Sequence, residues 1–429
     1  VMVLGMVPMA SASSAYNVKL TPTTPDESKL STAIQQNKFK LQNGEEAYAD
    51  SDTVRAIVIF EGEGAVPAAL KSTGVATQRA VAAASKTLTA QHSRIKTAIQ
   101  SKAVSYDVKY EYTTLLNGMS ADVKFGDLEK LASTAGVKEV YLANYYDEPV
   151  VMPSMDSAND MTNITKVRDK DTGKGTVIAV IDTGITPGHE AFTAYDSMLN
   201  KAAISKEQAE AAIEKLGRGK YLSAKVPFSY DYYDKDNDAN DDVSGHGTHV
   251  SGIAAGCVLS DDGGYEFAGS APGAQILALK VFSSDPAERG TSSDVYLAAL
   301  EDAYTLGADV INMSLGAQNG FVYDGIEEKV LNGIFTTLDD AGVICCIAAG
   351  NEGSMADGES ITGVPAGYVT SDYADYGVVG SPSTYDGNLS VASVDNAKYA
   401  SPAIEVDGAQ IGYSDTVNAY NTLAGKTYD

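Results

Sequence analysis

Ser244-Gly245-His246-Gly247-Thr248-His249-Val250-Ser251-Gly252 decides how this chain is read. Glycines flank His246, so the backbone there can turn tightly and pass close to another segment. Small residues follow through Ile253 to Gly256, which fits a helix. Upstream, the apolar run Val177-Ile178-Ala179-Val180-Ile181 ends on Asp182-Thr183-Gly184. Downstream, a second apolar run, Val343 to Ala348, ends on Ala349-Gly350-Asn351. Such continuous runs read as strands buried on both faces of a parallel sheet. Open α/β sheets place their sites at the carboxyl ends of the strands. At that edge a carboxylate can fix an imidazole tautomer, the imidazole can act as general base, and an amide can donate to an oxyanion.

Taken singly, each residue has a plainer explanation. Asp182 can cap a strand-end turn, Asn351 can sit in a tight Asn-Glu-Gly turn, and His249 can pack within the fold. A zinc site at His246 and His249 would want a His-Glu-x-x-His pattern, which is absent. His92 and His189 are the only other histidines, and no metal site is expected.

Further apolar runs at Ile276–Val281, Val310–Met313 and Leu389–Val394 extend the pattern. Between them, Ser293–Leu306 carries Val295, Ala299, Ala303 and Leu306 on one helical face, and 326–338 carries Ile326, Val330, Ile334 and Leu338. Strands alternating with helices predict an α/β fold, a doubly wound, mostly parallel sheet with flanking helices. Before it, residues 53–148 read as a small α+β unit of order β-α-β-β-α-β. Val54–Phe60 is a strand, Val75–Ala103 is helical, and Val104, Tyr106, Val108, Tyr110 and Tyr112 alternate on one strand face. Gly118–Val123, a helix from Phe125, and the strand Val137–Leu142 complete it. Residues 16–52 are polar and read as a linker. Val1 to Ala15 is apolar and ends in small residues, as the remnant of a secretory signal would.

The formal charge of −26 argues against nucleic acid or an anionic membrane surface as partner. No run approaches the ~18 apolar residues of a membrane span. Three cysteines, Cys257, Cys345 and Cys346, do not make a disulfide framework, and the adjacent pair reads as small buried hydrophobes. Asp231, Asp234, Asp236, Asp238, Asp241 and Asp242 form an acidic run before His246. Calcium is thinkable there. Yet Ala239 stands where an EF-hand loop needs its turn glycine and Gly245 where it needs its bidentate glutamate, so a solvated acidic loop is expected. No cofactor is otherwise required.

Asp182-Thr183-Gly184, His246-Gly247-Thr248-His249-Val250 and Ala348-Ala349-Gly350-Asn351, in that order, resemble the subtilisin-like (S8) serine peptidases from about Thr162 to Asn396. The resemblance implies that Asp182 is the triad acid, His246 the base and Asn351 the oxyanion residue. It implies that Ser314, Leu315 and Gly316 pair with the substrate backbone and that Ala349 and Gly350 line the substrate site. The family's nucleophile word, Gly-Thr-Ser-Met-Ala, is not found. Arg289-Gly290-Thr291-Ser292-Ser293-Asp294 is similar, but it precedes the Asn351 segment, where the family has a substrate-contacting loop. The catalytic serine is therefore expected beyond Asp429.

Residues 53–148 likewise resemble the family's I9-type inhibitory propeptide, through Leu116-Asn117-Gly118-Met119-Ser120-Ala121 and Gly136-Val137-Lys138-Glu139-Val140. Its tail, around Leu142 to Val150, would lie in the substrate groove, and the peptidase domain would run from 149 to 399. An insertion, Lys201 to Asp242, and a closing segment, 400–429, that looks like the approach to a protease-associated insert resemble the lactocepin and C5a peptidase cell-envelope branch. The resemblance implies a secreted or cell-surface bacterial serine endopeptidase, made as a zymogen. Its partners would be protein or peptide substrates and its own propeptide. The alternative is a catalytically dead binding or adhesion protein on the same scaffold.

Overall fold

The computed structural model describes residues 48–148, 158–193, 202–261, 264–285, 290–316, 326–351, 379–393, 403–406 and 409–412. The expected signal remnant, most of the linker and most of the 400–429 segment lie outside them.

The amino-terminal unit runs β1 (Thr53–Phe60), α1 (Ala65–Thr73), α2 (Gln78–Ser101), β2 (Tyr106–Tyr112), β3 (Gly118–Lys124), α3 (Leu128–Ala132) and β4 (Val137–Leu142). Its antiparallel sheet has the order β2-β3-β1-β4. Thr77 caps α2 by accepting from Ala80 N–H at 3.3 Å. Val54, Ala56, Val58 and Phe60 point to a core shared with Ile95 and Ile99 of α2. The expected single face of β2 does not hold. A register shift between Val108 and Tyr110 reverses the alternation, because a bulge residue exchanges the two faces beyond it. Tyr106 and Val108 pack on the unit's own core, whereas Tyr110 and Tyr112 turn outward to the larger domain.

His92 is fully buried in this unit, with Nδ1 3.1 Å from Glu111 and Nε2 2.8 Å from Asn117 Oδ1. Lys96 Nζ also reaches Glu111, at 2.6 Å. The hydrogen bond from His92, and then Lys96, hold the Glu111 carboxyl down at about 2, against an ordinary 4.5. A depressed carboxyl stabilises the fold above its unfolded value and stops doing so as pH falls through the folded one. The melting temperature of the chain is therefore expected to exceed that of Glu111→Gln above pH 4.5, with the gap closing as pH approaches 2. A gap independent of pH would refute this.

The chain continues through β5 (Tyr145–Asp147), α4 (Ala158–Met161), α5 (Ile164–Arg168), β6 (Val177–Asp182), α6 (Lys206–Leu216), β7 (Phe228–Asp231) and α7 (His246–Ala255). Then come β8 (Cys257–Leu259), β9 (Tyr265–Ala268), β10 (Gln275–Lys280), β11 (Gly290–Ser292), α8 (Ser293–Thr305) and β12 (Val310–Met313). The last elements are α9 (Ile326–Asp340), β13 (Ile344–Ala348), β14 (Leu389–Val391), β15 (Ala403–Val406) and β16 (Ala409–Gly412). Six strands form a parallel sheet of order β14-β13-β12-β6-β10-β7. As expected of strands covered on both sides, β6 and β10 bury alternate residues in two cores. Val177, Ala179, Ile181, Leu277 and Leu279 face one, and Ile178, Val180, Ile276 and Ala278 face the other.

The 201–242 insertion contributes β7 to the edge of the sheet, with Phe228 to Asp231 in register with β10. One expectation is corrected: α8 has no solvent face, since Ser293 to Ala303 are all buried, because the amino-terminal unit covers the side away from the sheet. Its charged residues each find a partner. Asp294 meets Arg55 at 2.9 Å, Asp302 takes a bidentate pair from Arg218 at 2.7 and 2.8 Å, and Glu301 accepts from four backbone amides. Those amides belong to Thr113 (3.0 Å), Thr114 (2.8 Å), Leu115 and Leu116 (3.0 Å), the turn between β2 and β3.

Candidate active site

The sheet register brings the expected residues to one edge. Met313 of β12 is level with Ile181 of β6 and with Ile347 of β13. Asp182, Ser314 and Ala348 thus stand side by side at the carboxyl ends of three adjacent strands, ~4.8 Å apart from strand to strand. Leu315 is buried, and a side chain on Gly316 would come within 2.8 Å of Ser381 O. Ala349 exchanges backbone hydrogen bonds with Val391 (2.9 Å) and Gly380 (2.7 Å), which fixes the turn into Gly350 and Asn351. Gly350 adopts φ 96°, in the left-handed region that favours glycine. Asn351 follows, exposed, at the same edge.

His246 is the first residue of α7. Its Nδ1 lies 2.7 Å from Asp182 Oδ1, which also accepts from Thr183 N–H at 2.7 Å. Asp182 is buried, and the His246 side chain keeps 12% of its surface. Burial lowers the proton affinity of His246, but the hydrogen bond and charge of Asp182 outweigh it and raise the imidazole above its ordinary value. Burial pushes the Asp182 carboxyl up, while His246 and Thr183 pull against it. An imidazole held through Nδ1 leaves Nε2 to take a proton, the arrangement a general base needs. His249, half-buried one turn on, is lowered by burial and lines an apolar cavity of about 440 Å³ with Phe192, Ile253 and Phe267.

Gly247 makes the Asp182–His246 approach possible. A Cβ there would lie 2.3 Å from Gly184 O and 3.2 Å from Asp182 Cβ. Gly247→Ala is therefore expected to push the two segments apart. His246 would then lose the partner that raises it, and its titration followed by NMR should fall. An unchanged titration would show that the backbone contact is dispensable.

Ser292, in the segment similar to the nucleophile word, is not placed as a nucleophile. Its Oγ donates to Asp294 at 2.6 Å, and its backbone belongs to β11. That strand pairs antiparallel with β5, Gly290 opposite Asp147 and Ser292 opposite Tyr145. Ser293 N–H adds a bond to Asn144 O at 2.9 Å, and Tyr146 packs edge-on against Tyr296. The next residue, Glu148, lies close enough to His246 for its charge to raise the imidazole. The polypeptide leaving the amino-terminal unit thus runs along β11 towards the edge that carries Asp182 and His246.

The acidic run before His246 is not a uniformly solvated loop. Asp231 is buried against Lys280 at 3.1 Å, and burial raises it to about 6. Asp241 is buried too. Neither burial was legible in the run's composition. Among the described residues, no group of three or more His, Cys, Asp or Glu is arranged to hold a metal ion.

The subtilase (peptidase S8) family model matches residues 173–422. A PIII-type proteinase of Lactococcus lactis subsp. cremoris is 34% identical over 308 residues, 70% of this chain and 15% of that protein. A C5a peptidase of Streptococcus pyogenes is 35% identical over 241 residues, 55% of this chain and 20% of that protein. Among solved structures, an epidermin leader peptide processing serine protease of Staphylococcus aureus aligns with 80% of this chain and 69% of its own, at 18% identity and a TM-score of 0.47. The chain thus spans less than a fifth of the length of the lactococcal relative. With more than half of its residues matched, including Asp182, His246 and Asn351, the chain belongs to the subtilase family of serine peptidases.

Proposed function

We propose that this chain carries the acid, base and oxyanion donor of a serine endopeptidase, made as a zymogen, whose nucleophilic serine is supplied by polypeptide beyond Asp429. Asp182 orients His246 through Nδ1. Nε2 takes the serine proton as the nucleophile attacks the scissile carbonyl and returns it to the leaving amine. The Asn351 amide donates to the oxyanion, and Ser314 to Gly316 hold the substrate backbone by strand addition. The observation that carries this reading is the 2.7 Å contact between Asp182 and His246 at the carboxyl edge of the sheet. A catalytically dead binding protein has no physical demand for that contact, nor for the glycine that permits it.

Residues 53–148 act as the inhibitory propeptide. The support is the antiparallel pairing of β5, at the end of this unit, with β11, which leads the chain through Glu148 towards His246. The kinship with proteinases of Lactococcus and a C5a peptidase of Streptococcus supports a secreted or cell-surface location and protein substrates. Among the described residues, no helix is long and apolar enough to cross a membrane. The test is hydrolysis of unfolded protein by the extended polypeptide. Activity should appear once residues up to 148 are removed and should be lost to a serine-directed inhibitor. Hydrolysis insensitive to such an inhibitor would refute the proposal.

A further inference from the structure

Asp241 stands in the acidic run, yet only 5% of it is exposed. Its Oδ1 accepts from Thr183 Oγ1 and from Gly245 N–H, both at 2.9 Å. Its Oδ2 accepts from Thr248 N–H and Thr248 Oγ1, again at 2.9 Å. Both oxygens are thus saturated by two segments: the turn that follows Asp182, and the first turn of α7, which begins at His246. The two segments are also joined directly. Gly247 N–H donates to Thr183 Oγ1 at 2.8 Å, and Thr186 N–H donates to Thr248 Oγ1 at 2.9 Å.

The sequence explains why an outside carboxylate is needed. The N-cap of α7 is Gly245, at φ 78°, with no side chain to satisfy the helix's first amides. Left open, those amides would be orphan donors carrying the positive end of the helix dipole. Asp241 supplies the missing cap from four residues upstream. In the same act it grips Thr183, the neighbour of the triad acid.

We propose that Asp241 is a positioning residue for the Asp182–His246 pair, locking the strand end that carries the acid to the helix start that carries the base. A constellation of this kind must be held to within ~0.5 Å to be productive. One carboxylate shared by both segments does this more directly than packing of either against the sheet. Other titratable groups also face His246: Asp182 at the end of β6, Glu148 after β5 and His249 on α7. Asp241 differs from them in bonding to both segments at once, and its negative charge also favours protonated His246.

The inference rests on reading Asp182 and His246 as the acid–base pair, and the test separates the two. His246 is titrated by NMR in the intact chain and in Asp241→Asn, Thr183→Val, Asp242→Asn and Asp182→Asn, with kcat and KM measured in the polypeptide that includes the nucleophile. Asp241→Asn turns an amide towards donors that the carboxylate had accepted from. It should lower the titration of His246 and reduce kcat about 10- to 100-fold with little change in KM. Thr183→Val keeps the carboxylate but cuts its link to the acid's segment, and should reduce kcat in the same way. Asp242→Asn, the same charge change at the exposed neighbouring residue, should leave both unchanged. If Asp241→Asn and Thr183→Val lower only the melting temperature, leaving kcat and the His246 titration at wild-type values, the positioning role is wrong. If Asp182→Asn itself leaves His246 and kcat unmoved, the acid–base reading fails first, and the positioning role falls with it.

Discussion

Asp182→Asn is expected to lower kcat of the nucleophile-containing polypeptide by about 10⁴-fold, with KM nearly unchanged. The substitution keeps size and burial. What changes is the partner offered to His246. Asp182 Oδ1 accepts from Nδ1 at 2.7 Å, and a carboxylate in that place holds the proton on Nδ1 and stabilises the imidazolium that forms. An asparagine can present its NH₂ instead, which selects the tautomer protonated on Nε2 and leaves no lone pair to receive the serine proton. It also removes the charge that raises His246. The loss should therefore be accompanied by a lower titration of His246. A kcat within tenfold of the wild type would show that the short contact is structural.

Glu301→Ala should have the second largest effect, on inhibition rather than on chemistry. Glu301 lies on α8 of the larger domain and accepts from four successive amides, Thr113 to Leu116, of the turn between β2 and β3. Hydrogen bonds to a charged group contribute ~1.5–3 kcal/mol, and buried donors left without a partner cost ~1–3 kcal/mol each. Water can reach some of those amides once the unit loosens, so a net loss of ~3 kcal/mol is a fair expectation, or on the order of 10²-fold in the docking equilibrium. Hydrogen exchange at Thr113, Thr114, Leu115 and Leu116 reads it directly. Their protection should fall by that factor in Glu301→Ala and by less in Glu301→Gln, which keeps one acceptor. Equal protection in all three chains would show that Arg55, Tyr112 and the β5–β11 pairing hold the unit without Glu301.

The place of the candidate site in the fold was legible in the sequence because its residues occupy strand ends and a glycine-flanked turn, features with strong local signals. The run Val177 to Ile181 announces a buried strand, and the residue after it is placed by the chain itself. The same logic located Ser314 and Asn351 after β12 and β13. What escaped were pairings between distant segments. Asp241 looked like one carboxylate among several on a solvated loop. Its burial comes from Thr183 and from an α7 that lacks a side-chain cap of its own, and no pattern within the run encodes either. Likewise α8 read as amphipathic because its period was counted against one sheet. A second domain covers its other side and converts Asp294 and Glu301 from solvated charges into buried partners, while Asp302 is paired by Arg218 of its own domain. The bulge in β2 is a third case: alternation of Tyr and Val predicts a face, but one inserted residue divides it between two cores.

Fluorophosphonate labelling tests the central claim most directly, in the polypeptide extended beyond Asp429 and freed of residues up to 148. A serine activated by His246 should be labelled covalently, and His246→Ala should abolish the labelling while leaving the protein folded. Equal labelling of the two proteins, or none in the wild type, would contradict the claim that Asp182 and His246 form the acid–base half of a serine peptidase site.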